Sequence, residues 1–505
     1  VVGYEGNKLF YLAFLTRGNI LFFCEYSLNF FIMEDFKKDV RFDKKLVIIG
    51  GGFIGQGVLP LIFKHIDIRP EQISIITADD RGRETAEYYG IPFTINPLSK
   101  TNYKEILDAV LERGDFLLNL SSDISSQLVV DYCAEKSILY LDTCIDSWLG
   151  ESTNPELSVS DRSLYKLREE ILGLKTRYGK QSTTAVLAHG ANPGIVSHLV
   201  KQALLNIAKD TGKDVEIPKT REAWANLARE LGIKTIHVAE RDTQIPAQRK
   251  QKGEFVNTWS IDGFVGEGIQ PAELGWGSHE KSLPSDGMRH TFGDQSAIYL
   301  NRPGASVRVR TWLPLAGPKI GYLITHNEAI SLASYFSIGS GENPEYRPTV
   351  HYAYHPCDDA VLSMTELEEN NWKIQEKKRS ITDEIVSGID ELGVLLIGNE
   401  KGVYWFGSRL DIHEARNLAL YNSATSIQVA SGVVAGMVWA MRHPESGIVE
   451  AEEMDFDEVL TIAGPYWGEL VGEYSDWNPT IGRNSLYPED IDTEDPWQFK
   501  NFRVM

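Results

Sequence analysis

The chain has 505 residues, 42% hydrophobic and 24% charged, the balance of a globular protein of two or three domains. Its formal net charge of -21 argues against a nucleic-acid phosphate surface and is compatible with cationic partners. The four cysteines, Cys24, Cys133, Cys144 and Cys357, form no CxxC pair and have no histidine at metal-ligand spacing. That pattern speaks against a structural zinc and for a reducing, cytoplasmic compartment.

Residues 1–32 are rich in aromatics and poor in charge. They lack the basic run, apolar core and small-residue cleavage site of a secretory signal. The expectation is that Met33 is the true start and that residues 1–40 are an extension ahead of the first domain. No later segment reads as a membrane span.

From Leu46 the pattern becomes regular. Leu46–Ile49 is a short apolar run of the kind that forms a buried parallel strand. Gly50, Gly52 and Gly55 follow in G-x-G-x-x-G spacing, and Gly57–His65 reads as an apolar helix. "QISIITADD", "FLLNLSSDIS", "ILYLDTCID" and "TTAVLAHGANPG" read as further strands, with the helical "SQLVVDYCAEKS" among them and a helix from Ile195. This alternation predicts an α/β fold, a Rossmann-type doubly wound parallel sheet over residues 41–200. Residues 201–410 change to strand-like pieces and Trp-rich loops, a mixed α/β catalytic and dimerisation domain. In that region "EFVNTWSIDGFVGEG" (254–268) reads as loop or short irregular strand. Residues 411–505 hold a long small-residue helix, 415–444, that returns to the first domain. An acidic tail follows as a surface strap.

The Gly motif has its full context of strand, helix and an acid after the second strand. Gly50 permits the tight turn, Gly52 lets backbone approach a pyrophosphate, and Gly55 lets helix and strand pack. The cofactor-binding set is Gly50, Gly52, Phe53, Ile54 and Gly55 at the turn, with Asp79 on the adenosine ribose. A carboxylate at Asp79 favours NAD over NADP, although Arg81 and Arg83 are placed to receive a 2′-phosphate. Ligands sit at the carboxyl ends of parallel strands, so Ser121, Ser122, Asp123, Asp142 and Thr143 fall near the nicotinamide half.

The motifs "LAHGANPGIVSH", "HVAERDTQ", "NTWSIDGFVGEG", "PAELGWGSHE", "GYLITHNEA" and "DEIVSGIDELGVLL" together resemble bacterial homospermidine synthase, a group related in fold to saccharopine dehydrogenase. The resemblance runs from Met33 onward. It implies an NAD-dependent aminobutyl transferase that makes homospermidine and ammonia from two putrescines, acting as a homodimer. It maps the family's central pocket tryptophan onto Trp259, flanked by Glu240 and Glu267. Where the family pattern has a Glu-Pro pair this chain has Asp146-Ser147, which shortens the carboxylate by one methylene.

Dicationic substrates call for carboxylates and π-faces, and these loops supply Glu240, Trp259, Glu267 and Asp146. An amine must be neutral to lose hydride from its carbon or to attack an imine, so a base is needed. Glu267 is the first candidate and His326 the second. Asn192 is placed to orient the reacting amine, and Asp390 to anchor a distal ammonium. His279 and the pair His351/His355 lack a third ligand, and the chemistry needs no metal. Spermidine is a further candidate substrate. Two rival readings remain: a saccharopine- or carboxynorspermidine-type imine reductase, which needs Arg or Lys clamps such as Arg241 and Arg302, and a non-catalytic NAD-binding protein.

Overall fold

Short, mostly apolar runs of three to five residues form the first sheet. The computed structural model describes residues 37–505. The expected start at Met33, the extension ahead of it and Cys24 lie outside those residues. Seven strands run parallel in the order Phe93–Ile95, Ile73–Thr77, Leu46–Ile49, Phe116–Asn119, Leu139–Asp142, Ala185–Leu187 and Ile448–Glu450. Every residue of Leu46–Ile49 is buried, as a central parallel strand covered on both faces requires. The chain reverses direction across the sheet between Leu46–Ile49 and Phe116–Asn119, and that is where a crevice opens at the strand ends.

The first helix starts earlier than the sequence implied. Phe53–Gly57 is already helical, with Gly52 at its N-cap, and Leu59–His65 follows with Pro60 in its first turn. Proline is tolerated there because the amide it lacks would have no helical partner.

The second sheet has 11 strands. Its centre is the parallel pair Thr235–Asp242 and Thr349–His355, with Ile389–Asn399 antiparallel to the former. The helix Ile195–Asp210 leaves the first sheet and packs on Ile389–Asn399 and Gly402–Asp411 of the second. One buried apolar cluster therefore runs through both sheets, joining Leu46 and Ile48 to Ile236, Val238 and Leu392.

The long C-terminal helix is two helices, Ile412–Leu418 and Ala424–Arg442. The break follows from Tyr421 at φ 61°, a left-handed turn, and from Ser423, whose hydroxyl caps the second helix. Ala424–Arg442 packs on Leu139–Asp142 of the first sheet. A side chain at Gly432 would meet the Gly190 carbonyl at 2.1 Å, so its small residues set how close the helix lies. By length and apolarity this helix is able to cross a membrane, contrary to expectation, yet nearly all of it is buried in the protein interior. Cys133 and Cys357 are buried free thiols, and Cys144 is half-buried.

Candidate active site

The glycine turn is built by backbone constraints. Gly50 adopts φ 103°, a conformation that favours glycine. A Cβ on Gly55 would meet the Gly50 carbonyl oxygen at 2.3 Å, whereas one on Gly52 would meet nothing within 4 Å. The turn is thus closed on its protein side and open at Gly52 and the helix start at Phe53 and Ile54. Ser121 lies beside it, with its amide 3.3 Å from a Cβ placed on Gly50. Asp79 follows the strand Ile73–Thr77. Arg81 Nε donates to both its oxygens, at 3.0 and 2.8 Å, and this bond is the main cause that holds its carboxyl below the ordinary range.

Asp142, expected near the nicotinamide half, ends its strand facing inward. Its Oδ1 accepts the Ala188 amide at 2.6 Å and its Oδ2 the Tyr140 hydroxyl at 2.8 Å, and it is 1% exposed. One bond joins it to the end of the neighbouring strand and the other to a residue of its own strand. Burial pushes it up to about 6. Thr143 lies against Gly190 in the neighbouring loop.

A cleft opens beyond these strand ends, against the helix Ile261–Ile269. It is lined by Ser122, Asp123, Asp146, Asp262, Glu267 and His326 among others. The helix was hidden in a stretch that reads as loop. Ser260 caps it, its Oγ accepting the Gly263 amide at 3.0 Å. Its buried residues are Ile261, Phe264, Val265 and Gly268, the i, i+3, i+4, i+7 pattern of a helix face. Glycines at 263, 266 and 268 interrupt the apolar signal without ending the helix, because tertiary packing overrides their low propensity.

This helix aims Glu267 at His326, with Oε2 3.1 Å from Nε2. The other ring nitrogen faces Glu328, 3.0 Å from Oε1 and 3.1 Å from Oε2. Burial opposes charge on His326, but the carboxylates of Glu328 and Glu267 outweigh it and raise its pKa well above the usual imidazole value. Burial raises Glu267, against the pull of His326. Glu328 was not foreseen. Its signal was its place two residues after His326, at the start of the helix Asn327–Tyr335.

Asp146 accepts the backbone amides of Asp123 at 2.8 Å and Ser147 at 2.7 Å, and burial lifts it to about 6. Its short side chain is held by its own loop. Behind the cleft, Glu240 accepts Asn192 Nδ2 at 2.9 Å and the Tyr352 hydroxyl. Two residues along the same strand, Asp242 accepts the Thr258 hydroxyl at 2.6 Å and the Gln244 amide at 2.7 Å. Asp390 stands opposite Asp242 across the strand pair. The Thr425 hydroxyl donates to its Oδ2, and its buried Oδ1 has no partner among the described residues. Burial pushes Glu240 to about 7, Asp242 to about 6 and Asp390 well above the carboxylate range, and the neighbouring carboxylates add to the rise at Glu240 and Asp390. No lysine or arginine among the described residues forms an ion pair with any of the three. Neither Asp242 nor Tyr352 was foreseen, although both stand in alternation on strands whose residues were read.

Trp259 is half-buried. Its indole N–H donates to the Tyr354 hydroxyl at 3.0 Å, and its ring packs 5.5 Å from that of Phe264. One ring edge abuts Gly263 on the cleft wall. His279, His351 and His355 each face a backbone carbonyl, at 3.1, 3.0 and 3.1 Å. The spacing closest to a metal site among the described residues is His443, Asp455 and Glu458. There Arg442 already pairs with Glu458 at 2.7 Å and Trp439 donates to Asp455 at 3.2 Å.

Comparison with known proteins agrees with this architecture. The saccharopine dehydrogenase NADP binding domain matches residues 46–186, and the saccharopine dehydrogenase C-terminal domain matches 190–476. The homospermidine synthase of Blastochloris viridis is 47% identical over 481 residues, covering 94% of this chain and 100% of its own. That of Mesorhizobium japonicum is 45% identical over 467 residues, covering 91% and 96%. The crystal structure of homospermidine synthase from Legionella pneumophila in complex with NAD shares 48% identity and superposes with a TM-score of 0.85, covering 92% of this chain and 98% of that one. A parallel sheet with a glycine turn, an acid-lined cleft behind it, and near-complete coverage by these relatives show that the chain belongs to the homospermidine synthase family.

Proposed function

We propose that this protein is an NAD-dependent homospermidine synthase that transfers an aminobutyl group from one putrescine to another. The observation that carries the reading is the set of buried carboxylates with no lysine or arginine partner, His326 being the cation nearest to Glu240. Glu240, Asp242 and Asp390 are 3%, 2% and 0% exposed, and none pairs with a lysine or arginine among the described residues. Burial without a lysine or arginine drives these carboxyls toward their protonated forms, and a diammonium ligand would supply the positive charge that lets them ionise. The arginine clamps a carboxylated substrate would need are placed elsewhere: Arg302 pairs with Asp286 at 2.7 Å, and Arg241 lies 3.9 Å from Glu391.

Gly50, Gly52, Phe53, Ile54 and Gly55 would hold the pyrophosphate of NAD, with Asp79 at the adenosine ribose and Ser121, Ser122, Asp123 and Thr143 toward the nicotinamide. The open face at Gly52, closed behind by Gly55, fits that group. Bound NAD supplies a hydride acceptor for the first half of the reaction and the donor for the second. Every other requirement falls on side chains. Diamine nitrogens are protonated at neutral pH, so a proton must leave before C–N oxidation. Glu267, beside a His326 that Glu328 keeps basic, is the base we assign. Oxidation leaves an imine; the amine of a second putrescine adds to its carbon, ammonia departs with a proton returned through the same pair, and reduction of the new imine yields homospermidine. Asn192 orients the reacting amine from its bond to Glu240. Trp259 offers its ring edge and face to the cationic chain, and Asp390 with its free oxygen anchors the distal ammonium. Asp146 and Asp123 line the approach. A second copy completes a homodimer.

The test is to mix the protein with putrescine and a trace of NAD and no other oxidant. Homospermidine and ammonia should appear in equal amounts without accumulation of NADH. Stoichiometric, lasting NADH would replace this reading with a simple amine dehydrogenase.

A further inference from the structure

Away from the cleft, a surface cavity of about 410 Å³ lies between the helix Arg221–Glu230, the C-terminal end of the helix Asn327–Tyr335 and the loop after it. In a chain of net charge -21 it is lined by two arginines that lack carboxylate partners. Arg347 forms its floor and is 2% exposed. Its Nε donates to Ser337 Oγ at 2.7 Å, Nη1 to the Gln295 carbonyl at 3.0 Å and Nη2 to the Gly341 carbonyl at 3.2 Å. Three of five guanidinium hydrogens are thereby used, all on neutral oxygens. Arg221 donates only to the carbonyls of Tyr335, at 3.0 Å, and Ser334. Among the described residues neither arginine has a carboxylate within ion-pair distance. Asp294 also lines the cavity, but its oxygens are taken by the Ser296 amide at 2.9 Å and the hydroxyls of Tyr165 and Ser334.

The loop adds donors without adding charge. Gly339 and Gly341 adopt φ 86° and 76°, alternating with Ser340 in a glycine-rich arc. The amides of Gly339 and Ser340 donate to no backbone carbonyl, and the Ser340 hydroxyl has no side-chain partner, among the described residues. Successive free amides in such an arc form an anion-binding concavity. Arg347 feels the Asp294 carboxylate only at a distance, Glu222 lies at the rim, and burial still disfavours its charge, so an anion that reaches the guanidinium directly recovers part of that cost.

We propose that this cavity is a binding site for a small oxyanion, a phosphate or carboxylate group held between Arg221, Arg347 and the amides of Gly339 and Ser340. It is separate from the diamine cleft, whose chemistry requires ligands of opposite charge. Calorimetric titration with inorganic phosphate, and in parallel with acetate, tests it, with NAD saturating so that the glycine turn is filled and ionic strength held constant with chloride. Saturable binding of one anion per chain is expected, and the tighter of the two probes identifies the headgroup as phosphate or carboxylate. Arg221→Ala, on an exposed side chain, should weaken that binding at least tenfold, and Glu222→Gln should strengthen it severalfold by removing a rim charge. If neither anion saturates, or if Arg221→Ala binds as tightly as the unaltered protein, the proposal is overturned.

Discussion

The glycine turn and the acid cluster are built on opposite principles. The turn occupies residues 50–55 and is made almost wholly of backbone, so its constraints fall on consecutive positions. The acid cluster draws Glu240, Glu267, Glu328 and Asp390 from four elements spread over 150 residues, with His326 capping the helix of Glu328, and apart from the His326–Glu328 contact its partners are remote in sequence. A backbone site tolerates change everywhere except at its glycines. A side-chain site depends on every carboxylate, because each sits where burial makes charge expensive.

The sharpest way to break the comparison is at Glu267. Glu267→Gln keeps the shape but removes the base, and should lower kcat by about 10² to 10⁴ while NAD binding, measured by fluorescence, stays unchanged. A smaller loss would move the base to another residue. The matching substitution on the other side is Gly55→Val. With 2.3 Å to the Gly50 carbonyl it forces turn and helix apart, for a cost of about 1–3 kcal/mol in thermal unfolding and loss of NAD affinity before any loss of diamine binding.

Next is Trp259. Trp259→Ala should raise the KM for putrescine by about 30-fold if a desolvated cation–π contact of about 2 kcal/mol is lost, and Trp259→Phe should recover most of it. Equal effects of the two would mean that the Tyr354 hydrogen bond, not the ring face, is the contribution.

Glu240 gives a pH signature. Its carboxyl is pushed up to about 7 in the folded protein, so the folded state holds a proton that the unfolded chain has already released above its ordinary value of 4.5. The stability that Glu240 contributes to the ligand-free protein should therefore be full below about pH 4.5 and be lost as pH rises through about 7. Glu240→Gln should flatten that slope in thermal melts, and an unchanged slope would assign it elsewhere. The smallest effect is expected at the mouth of the cleft. Asp262 pairs with Lys378 on the surface, both nearly half exposed. Asp262→Asn should cost less than about 1 kcal/mol of stability, with a slower capture of putrescine that vanishes at high salt.

Legibility followed the same division. The parallel strands and the Gly50, Gly52, Gly55 turn were readable because their causes are local: apolar runs between turn residues, and glycines where a Cβ has no room. The candidates Glu240, Trp259 and Glu267 came from motif resemblance and Asn192 and His326 from the chemistry a diamine requires, none of them from any period or spacing. The helix Ile261–Ile269 was missed because its three glycines dilute a face that is nonetheless i, i+3, i+4, i+7. The burial of Asp142 was not legible because a strand-end acid facing a crevice and one facing the sheet look alike in sequence, and only the Ala188 amide and Tyr140 hydroxyl reveal which way it turns.

By itself, then, the amino-acid sequence determined the parallel sheet and the glycine turn, since these follow from local sterics and burial pattern, while its net charge was only compatible with cationic partners. Which carboxylates meet, which of them have no lysine or arginine partner, and that Glu267 reaches His326 were decided only by the tertiary structure. Proximity between residues 267 and 326, or 242 and 390, arises from how two sheets and their connecting helices pack, and no local property of the chain encodes it.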